Sequence, residues 1–100
     1  MAEFSFMDVN ATGVQVVASA TSATVALPNN AAGRAPKHVR IQCTGNAYIR
    51  PVTSGAGVCT INDILISPNY DVYIRVHGFT HIAYLQEANG AKINITPLET

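Results

Sequence analysis

The residues with the most chemical potential in this chain are three histidines, two cysteines and six carboxylates. His77 and His81 lie four residues apart, with Glu87 further along, which faintly suggests a set of metal ligands. On an extended strand, however, residues four apart are about 13 Å from each other, whereas bonds to a metal are near 2 Å. The spacing therefore argues against a metal site, and we interpret these histidines as polar ends of strands or as interface residues.

Nucleophilic and acid–base catalysis find little support in the sequence. Cys43 and Cys59 fit neither a C-x-x-C motif nor another ligand spacing, and no G-x-S-x-G nucleophile motif occurs. The acidic residues are scattered singly, so no coupled pair of carboxylates is visible. No glycine-rich loop opens a helix to hold a phosphate. We predict that the protein is not an enzyme, that it binds no metal or cofactor, and that both cysteines are free thiols in a reducing cell.

Chain length and charge limit the number of domains and the classes of partner. One hundred residues make one domain, and only 12% of them are charged, with six basic and six acidic residues that do not cluster in sequence. This balance predicts no surface for nucleic acid or an anionic membrane. Residues 1–20 contain no Lys or Arg and no apolar run of the length of a signal peptide or a membrane span. So little charge suits a subunit of an assembly better than a free monomer.

Alternation of apolar and polar residues predicts strands through most of the chain. Val39, Ile41 and Cys43 alternate with polar neighbours, which is the period of a half-buried strand. The same period, or a run of β-branched residues, predicts further strands at 14–17, 21–27, 47–52, 71–77, 80–87 and 92–96. We therefore predict an all-β, antiparallel β-sandwich that is jelly-roll-like and forms a single domain over residues 13–100. Residues 1–12 are predicted to be an N-terminal arm.

Turn residues separate these strands. Gly45-Asn46 and Asn89-Gly90 predict hairpins, and Pro51 predicts a sheet edge or a bulge because it cannot donate a ladder hydrogen bond. Small and turn-forming residues predict exposed loops at 29–36 and 53–57.

Residues 59–70 contain four aliphatic side chains without clear alternation, and no element is assigned to them. Within them, Asn62-Asp63 either caps a single helical turn or bends the chain.

Tyrosine and arginine on polar strand faces predict a protein interface, because these residue types supply much of the binding energy at such surfaces. Tyr73 and Arg75 fall on the same face of one predicted strand. The other candidates of these two types are Tyr48, Tyr84, Arg40 and Arg50. The alternative interpretation is that these are ordinary surface residues without a binding role.

Three stretches carry a resemblance to a known family. They read YIRVHGFTHIAYLQ from residue 73, NGAKINIT from residue 89, and VRIQCTGNAYIR from residue 39. Together they resemble small virion proteins of tailed bacteriophages of the capsid decoration, or cement, type. The resemblance implies a compact β-sandwich or jelly-roll subunit, often trimeric, on the outer shell at junctions between capsomers. Pro51 and the arm depart from the family pattern.

The resemblance implies a non-enzymatic protein that binds the outer capsid surface between capsomers and stabilises the assembled head. Its partners would be the major capsid protein and itself, as a homotrimer, on the capsid surface of a virion made in the host cytoplasm. The candidate partner-binding residues are Phe4, Phe6, Met7, Arg34, Tyr73 and Arg75. Two alternatives are another virion component, from head completion, neck or tail, and a carbohydrate-binding β-sandwich for host attachment. The lack of Trp counts against the second.

Overall fold

The computed structural model describes residues 13–98, in which eight strands and no helix occur. Seven of the strands correspond to predicted runs of alternating or β-branched residues, whereas the strand at Ile64–Ile66 lies in the segment 59–70, for which the sequence predicts no element. The strands are β1 (Val14–Val17), β2 (Ala23–Ala26), β3 (His38–Cys43), β4 (Ala47–Val52), β5 (Ile64–Ile66), β6 (Val72–Arg75), β7 (His81–Gln86) and β8 (Lys92–Pro97). The predicted all-β fold is confirmed.

The strands form two four-stranded antiparallel sheets that pack face to face as a β-sandwich. Sheet I has the strand order β1-β8-β3-β6, and sheet II has the order β2-β7-β4-β5. Nearly every connection passes from one sheet to the other, so neighbours within a sheet come from distant parts of the chain. The edges of the two sheets are β1 and β2 on one side of the sandwich and β5 and β6 on the other, because short connections of five residues join each pair.

The core consists of the alternate residues that point between the sheets. Sheet I contributes Val39 and Ile41 from β3 and Ile93 and Ile95 from β8, all essentially without solvent exposure. Sheet II contributes the corresponding residues of β4, β5 and β7, which are Ala47, Ile49, Ile66, Ile82 and Tyr84. Fully burying one large aliphatic side chain stabilises the fold by about 1.5–3 kcal/mol, so the period-two pattern also fixes the register of each strand.

Both predicted hairpins are wrong. Gly45-Asn46 joins β3 of sheet I to β4 of sheet II, and Asn89-Gly90 joins β7 of sheet II to β8 of sheet I. A two-residue hairpin turn of type I′ requires positive φ at both central residues. Gly90 has a φ of 72°, but no described residue other than glycine has positive φ, and Gly45 is not among the positive glycines. These turns therefore redirect the chain across the sandwich instead of pairing adjacent strands.

Pro51 lies at a local edge within β4. The neighbouring strand β5 pairs with β4 only over Ala47 to Ile49, whereas β7 follows β4 as far as Val52. At Pro51 the side of β4 toward β5 therefore has no strand partner, which suits a residue without an amide hydrogen.

Candidate interaction surfaces

The outer face of sheet I carries an open groove of about 620 Å³. We call it the polar groove, and its lining residues are Gly13, Gln15, Arg40, Gln42, Cys43, Thr44, Lys92, Asn94 and Thr96. Most of these side chains are amides, hydroxyls or cations, and none of the lining residues is Asp or Glu. The groove therefore offers hydrogen-bond donors and positive charge to a partner.

Strand register explains why these side chains meet. Gln42 of β3 is opposite Asn94 of β8, and Gln15 of β1 is opposite the same Asn94 from the other side. Arg40 of β3 is opposite Thr96 of β8. Because side chains in register on neighbouring antiparallel strands lie close together, the outward residues of three strands form one continuous polar surface.

Two of the predicted partner-binding residues lie beside the polar groove. Tyr73 of the edge strand β6 is opposite Arg40, and Arg75 is opposite His38. Tyr73 and Arg75 are both exposed and share the outer face of sheet I, as their spacing on one strand requires. The prediction that they face the same way is confirmed.

Basic residues collect on this face although they are dispersed in sequence. Arg40, Arg75 and Lys92 come from three different strands, and the acidic residue described near them is Asp71, which accepts a hydrogen bond of 2.8 Å from Gln42 Nε2. Arg40 Nε is buried and has no hydrogen-bond partner among the described residues. The linear sequence hides this shared face because strand order decides which strands become neighbours.

The outer face of sheet II carries an apolar patch beside the exposed Arg50, and the chain covers that patch. We call residues 53–63 the covering loop. Its Cys59 forms a second buried cluster with Val52 and Ala83, and Tyr48 and Leu85 pack against that cluster. The 53–57 segment is exposed, as predicted, but it is part of a loop that lies over the sheet.

Two hydrogen bonds fasten the covering loop to β2 and to the residue before it. Ser22 Oγ accepts a bond of 2.8 Å from the Cys59 amide, and Thr24 Oγ1 donates one of 2.8 Å to the Gly55 carbonyl. At the other end of the loop, Asp63 Oδ2 accepts a bond of 2.7 Å from the Thr60 amide. The Asn62-Asp63 pair therefore bends the chain before β5 and does not cap a helical turn.

Burial beneath the covering loop changes the chemistry of two side chains. Removal from water and the nearby Asp63 carboxylate raise the pKa of the Cys59 thiol from 9.0 to about 11. A thiol of this kind is protonated at neutral pH and is a poor nucleophile. Burial raises the pKa of Tyr48 as well, with a further contribution from Glu87, whose Oε2 accepts a 3.2 Å bond from the Tyr48 hydroxyl.

The remaining predicted candidates are distributed differently. Tyr84 belongs to the core and is only 9% exposed, so its assignment to a polar interface face is wrong: the alternation within β7 turns it inward with Ile82. Arg34 is exposed in the loop between β2 and β3. Phe4, Phe6 and Met7 lie outside the described residues.

One side of the sandwich exposes large apolar residues that sequence reasoning left without an element. Ile64 and Leu65 of β5 are 47% and 53% exposed. Ile61 just before β5 and Tyr70 just after it are 70% and 73% exposed. We call these four residues the β5 edge cluster. The signal for it in the sequence is a stretch from 51 to 70 in which Asp63 is the only charged residue.

The histidines and cysteines remain apart. Within residues 13–98, no three His, Cys, Asp or Glu side chains come together in a way that could hold a metal ion. His81 Nδ1 lies 2.8 Å from Thr80 Oγ1, and His77 is exposed in the turn between β6 and β7. Both cysteines are unpaired. The described part of the chain also contains no helix with the length and apolar character that a membrane crossing needs.

The fold and these surfaces define a small β-sandwich with a polar outer face, a covered outer face and an apolar edge. Comparisons of the chain with protein-family models, with curated proteins and with solved structures find no match.

Proposed function

We propose that the chain is a non-enzymatic capsid decoration protein of a tailed bacteriophage, which binds the outer shell between capsomers and stabilises the assembled head. The observation that carries the proposal is the polar groove with its neighbours Tyr73 and Arg75, which forms a broad, open and basic binding surface on a rigid sandwich. Tyr and Arg beside a polar surface are the residue types that dominate protein interfaces. The major capsid protein would supply acceptor and acidic groups to this surface.

The strand order supports the finer assignment of the fold to the jelly-roll class. In both sheets, early and late strands of the chain alternate, as two interleaved Greek keys require. This class is also the one that the resemblance to phage virion proteins implies.

The mechanism is binding linkage, with no chemical step. A subunit that binds the assembled shell and not its separated parts stabilises the shell by mass action. Many copies on one particle add weak contacts into a large total effect. An interface of about 800 Å² per partner is sufficient for each contact.

The test uses virions from which the gene for this chain has been deleted, with purified protein added back. We expect saturable binding at hundreds of copies per particle and a higher temperature of DNA release. Lys92→Glu in the polar groove should weaken binding on the order of tenfold, since it reverses a charge at the interface. The matched control is Arg50→Glu, the same change of charge on the outer face of sheet II, which should bind like wild type.

Two results would overturn the proposal in favour of its alternatives. A copy number of six or twelve per particle would assign the chain to the neck or tail. No binding to virions, together with specific hits on a glycan array, would favour a carbohydrate-binding β-sandwich. The amide-lined polar groove is the observation that favours this second function, because amides and cations are suited to hydrogen-bonding sugar hydroxyls.

A further inference from the structure

The polar groove is a trough that follows β8, with walls from the two neighbouring strands. Its floor is formed by Asn94, which is half-buried, and Thr96, which is only 6% exposed. Gln15 of β1 lies on one side of Asn94 and Gln42 of β3 on the other, and both glutamines are exposed. Because the flanking side chains are more exposed than the central ones, the trough accommodates an extended chain that runs along the strand direction.

The two cations of the groove lie toward its opposite ends. Lys92 is four residues before Thr96 on β8, so these positions are about 13 Å apart on an extended strand. Arg40 is opposite Thr96 on β3 and therefore marks the other end of the trough. No Asp or Glu lines the groove, and Asp71 lies on the far side of Gln42, whose Nε2 donates a hydrogen bond to it. A ligand in the trough meets positive charge at two points, separated by the length of four extended residues.

The amides between the two cations are arranged to bind peptide groups. Thr96 Oγ1 donates a 2.8 Å bond to Asn94 Oδ1, which leaves the amide N–H groups of Asn94 as donors. Gln42 Nε2 donates to Asp71, which leaves Gln42 Oε1 as an acceptor. Gln15 on the opposite wall has both a donor and an acceptor. An extended peptide directs its own N–H and C=O groups sideways, toward such walls, and its side chains alternately down and up.

We propose that the polar groove binds an extended protein segment with acidic residues at positions i and i+4 and a small residue at i+2. Side chains two residues apart on an extended chain share one face, so all three point into the trough. The two carboxylates pair with Lys92 and Arg40, and the small central side chain lies above Asn94. The amides of Gln15 and Gln42 bind the peptide backbone from both sides. The inference deepens the proposed function and rests on it only for assigning this segment to the major capsid protein.

The pattern of charge favours a protein segment over nucleic acid. Proteins that bind single strands combine a continuous positive groove along the phosphates with aromatic side chains on which the bases stack. The polar groove has no aromatic lining residue, and neutral amides separate its two cations. A phosphate chain would place charges opposite those amides, whereas a peptide places neutral backbone groups there.

The test is an NMR titration of the isotope-labelled full-length protein with synthetic peptides. The peptide GETGTEG has the proposed spacing. The peptide GETGETG has the same composition, but its glutamates are three residues apart and point to opposite faces. We expect saturable shifts at the signals of Gln15, Gln42 and Asn94 with the first peptide. The second should bind on the order of fivefold more weakly, which is the upper value for one exposed ion pair. A thymidine trinucleotide, which also carries two negative charges, should give no saturable shifts.

Substitution of one cation tests the ion pairs directly. Lys92→Gln should weaken binding of GETGTEG on the order of fivefold and abolish its advantage over GETGETG. The matched control is Arg50→Gln, the same loss of charge on the outer face of sheet II, which should leave both affinities unchanged. Lys92→Glu should bind either GKTGTEG or GETGTKG more tightly than GETGTEG, and the tighter of the two gives the direction of the segment. Both positions are exposed, so every variant should retain the wild-type fold.

Three outcomes would overturn the inference. They are equal binding of GETGTEG and GETGETG, no effect of Lys92→Gln, and binding of the trinucleotide as tight as that of GETGTEG. The titration contains no virions, so its failure is separate from failure of the proposed function. Virion binding that depends on Lys92, together with no peptide binding, would retain the function and reject the acidic segment.

Discussion

The two outer faces of the sandwich differ in whether the chain covers them. Sheet II presents apolar side chains outward, and the covering loop buries Val52 and Ala83 among them. Sheet I presents amides and cations outward, and its polar groove is open. The 53–63 segment therefore belongs to the fold, whereas the outer face of sheet I is available for binding. Substitutions on the two faces should therefore affect different properties.

The largest effect is expected where the covering loop approaches sheet II most closely. A Cβ atom at Gly57 would lie 2.6 Å from Val52 Cβ, whereas one at Gly55 would have its nearest neighbour at 3.6 Å. Neither glycine has positive φ, so only packing distinguishes them. Gly57→Ala should lower the free energy of unfolding by about 1–3 kcal/mol through overpacking.

Thermal unfolding checks this prediction, since each kcal/mol lowers Tm by about 4–8 °C in a domain of this size. Gly55→Ala is the matched control and should unfold near the wild-type temperature. Equal Tm values for Gly57→Ala and wild type would show that the loop does not press on Val52 in solution.

The buried thiol under the loop should make stability depend on pH. The pKa of Cys59 is raised to about 11 in the folded state, above its ordinary value of 9.0. The unfolded chain therefore loses the thiol proton first, and the free energy of unfolding falls as pH rises from 9 through 11. Below pH 9 both states keep the proton, and this contribution to stability is fully present.

Denaturant titrations at pH 8 and pH 10.5, under reducing conditions, measure this effect. Cys59→Ala should lose less stability than wild type between the two pH values, because the other titrating groups are unchanged. The same pH dependence in the variant and wild type would mean that Cys59 is accessible to water.

A smaller effect is expected from the hydrogen bonds that fasten the covering loop. Ser22→Ala removes the acceptor of the Cys59 amide in a partly buried site and should lower stability by about 1 kcal/mol. Thr24→Val removes the donor to the Gly55 carbonyl, which water can replace because that site is exposed, and should have less effect. Chemical denaturation of the two variants gives the comparison. If Thr24→Val lowered stability more than Ser22→Ala, the hydrogen bond to the Gly55 carbonyl would be the stronger attachment of the loop.

The sequence predicts the positions of the strands better than it predicts which strands pair with each other. Alternation correctly places Val39 and Ile41 in the core, because burial on one face is a local property of a strand. The Asn89-Gly90 turn is also local, but the strand that follows it pairs with β1 and β3 rather than with β7, and no local signal specifies that choice.

The candidate surfaces were predictable in part for the same reason. Tyr73 and Arg75 share one strand, so their common face follows from spacing alone. The polar groove needs the register between Arg40, Asn94 and Gln15, which lie on strands far apart in sequence. Tyr84 points into the core and Tyr73 points to solvent, because the two residues fall on opposite faces of their strands. Residue type alone does not specify which face is buried. The covering loop shows no alternation of apolar and polar residues, so its sequence does not predict where it packs. Its position depends on the apolar side chains of sheet II, which Cys59 contacts.

The smallest effect on stability is expected on the outer face of sheet I. Gln15 and Lys92 are exposed, and no side-chain contact described for them holds the fold together. Gln15→Ala and Lys92→Ala should each change the free energy of unfolding by less than about 0.5 kcal/mol, as is usual for surface substitutions. Lys92→Ala should nevertheless weaken binding to gene-deleted virions, and added salt should reduce the difference from wild type because it screens the charge. Destabilisation as large as that of Ser22→Ala would instead make this face a structural part of the sandwich, as the covered face of sheet II is.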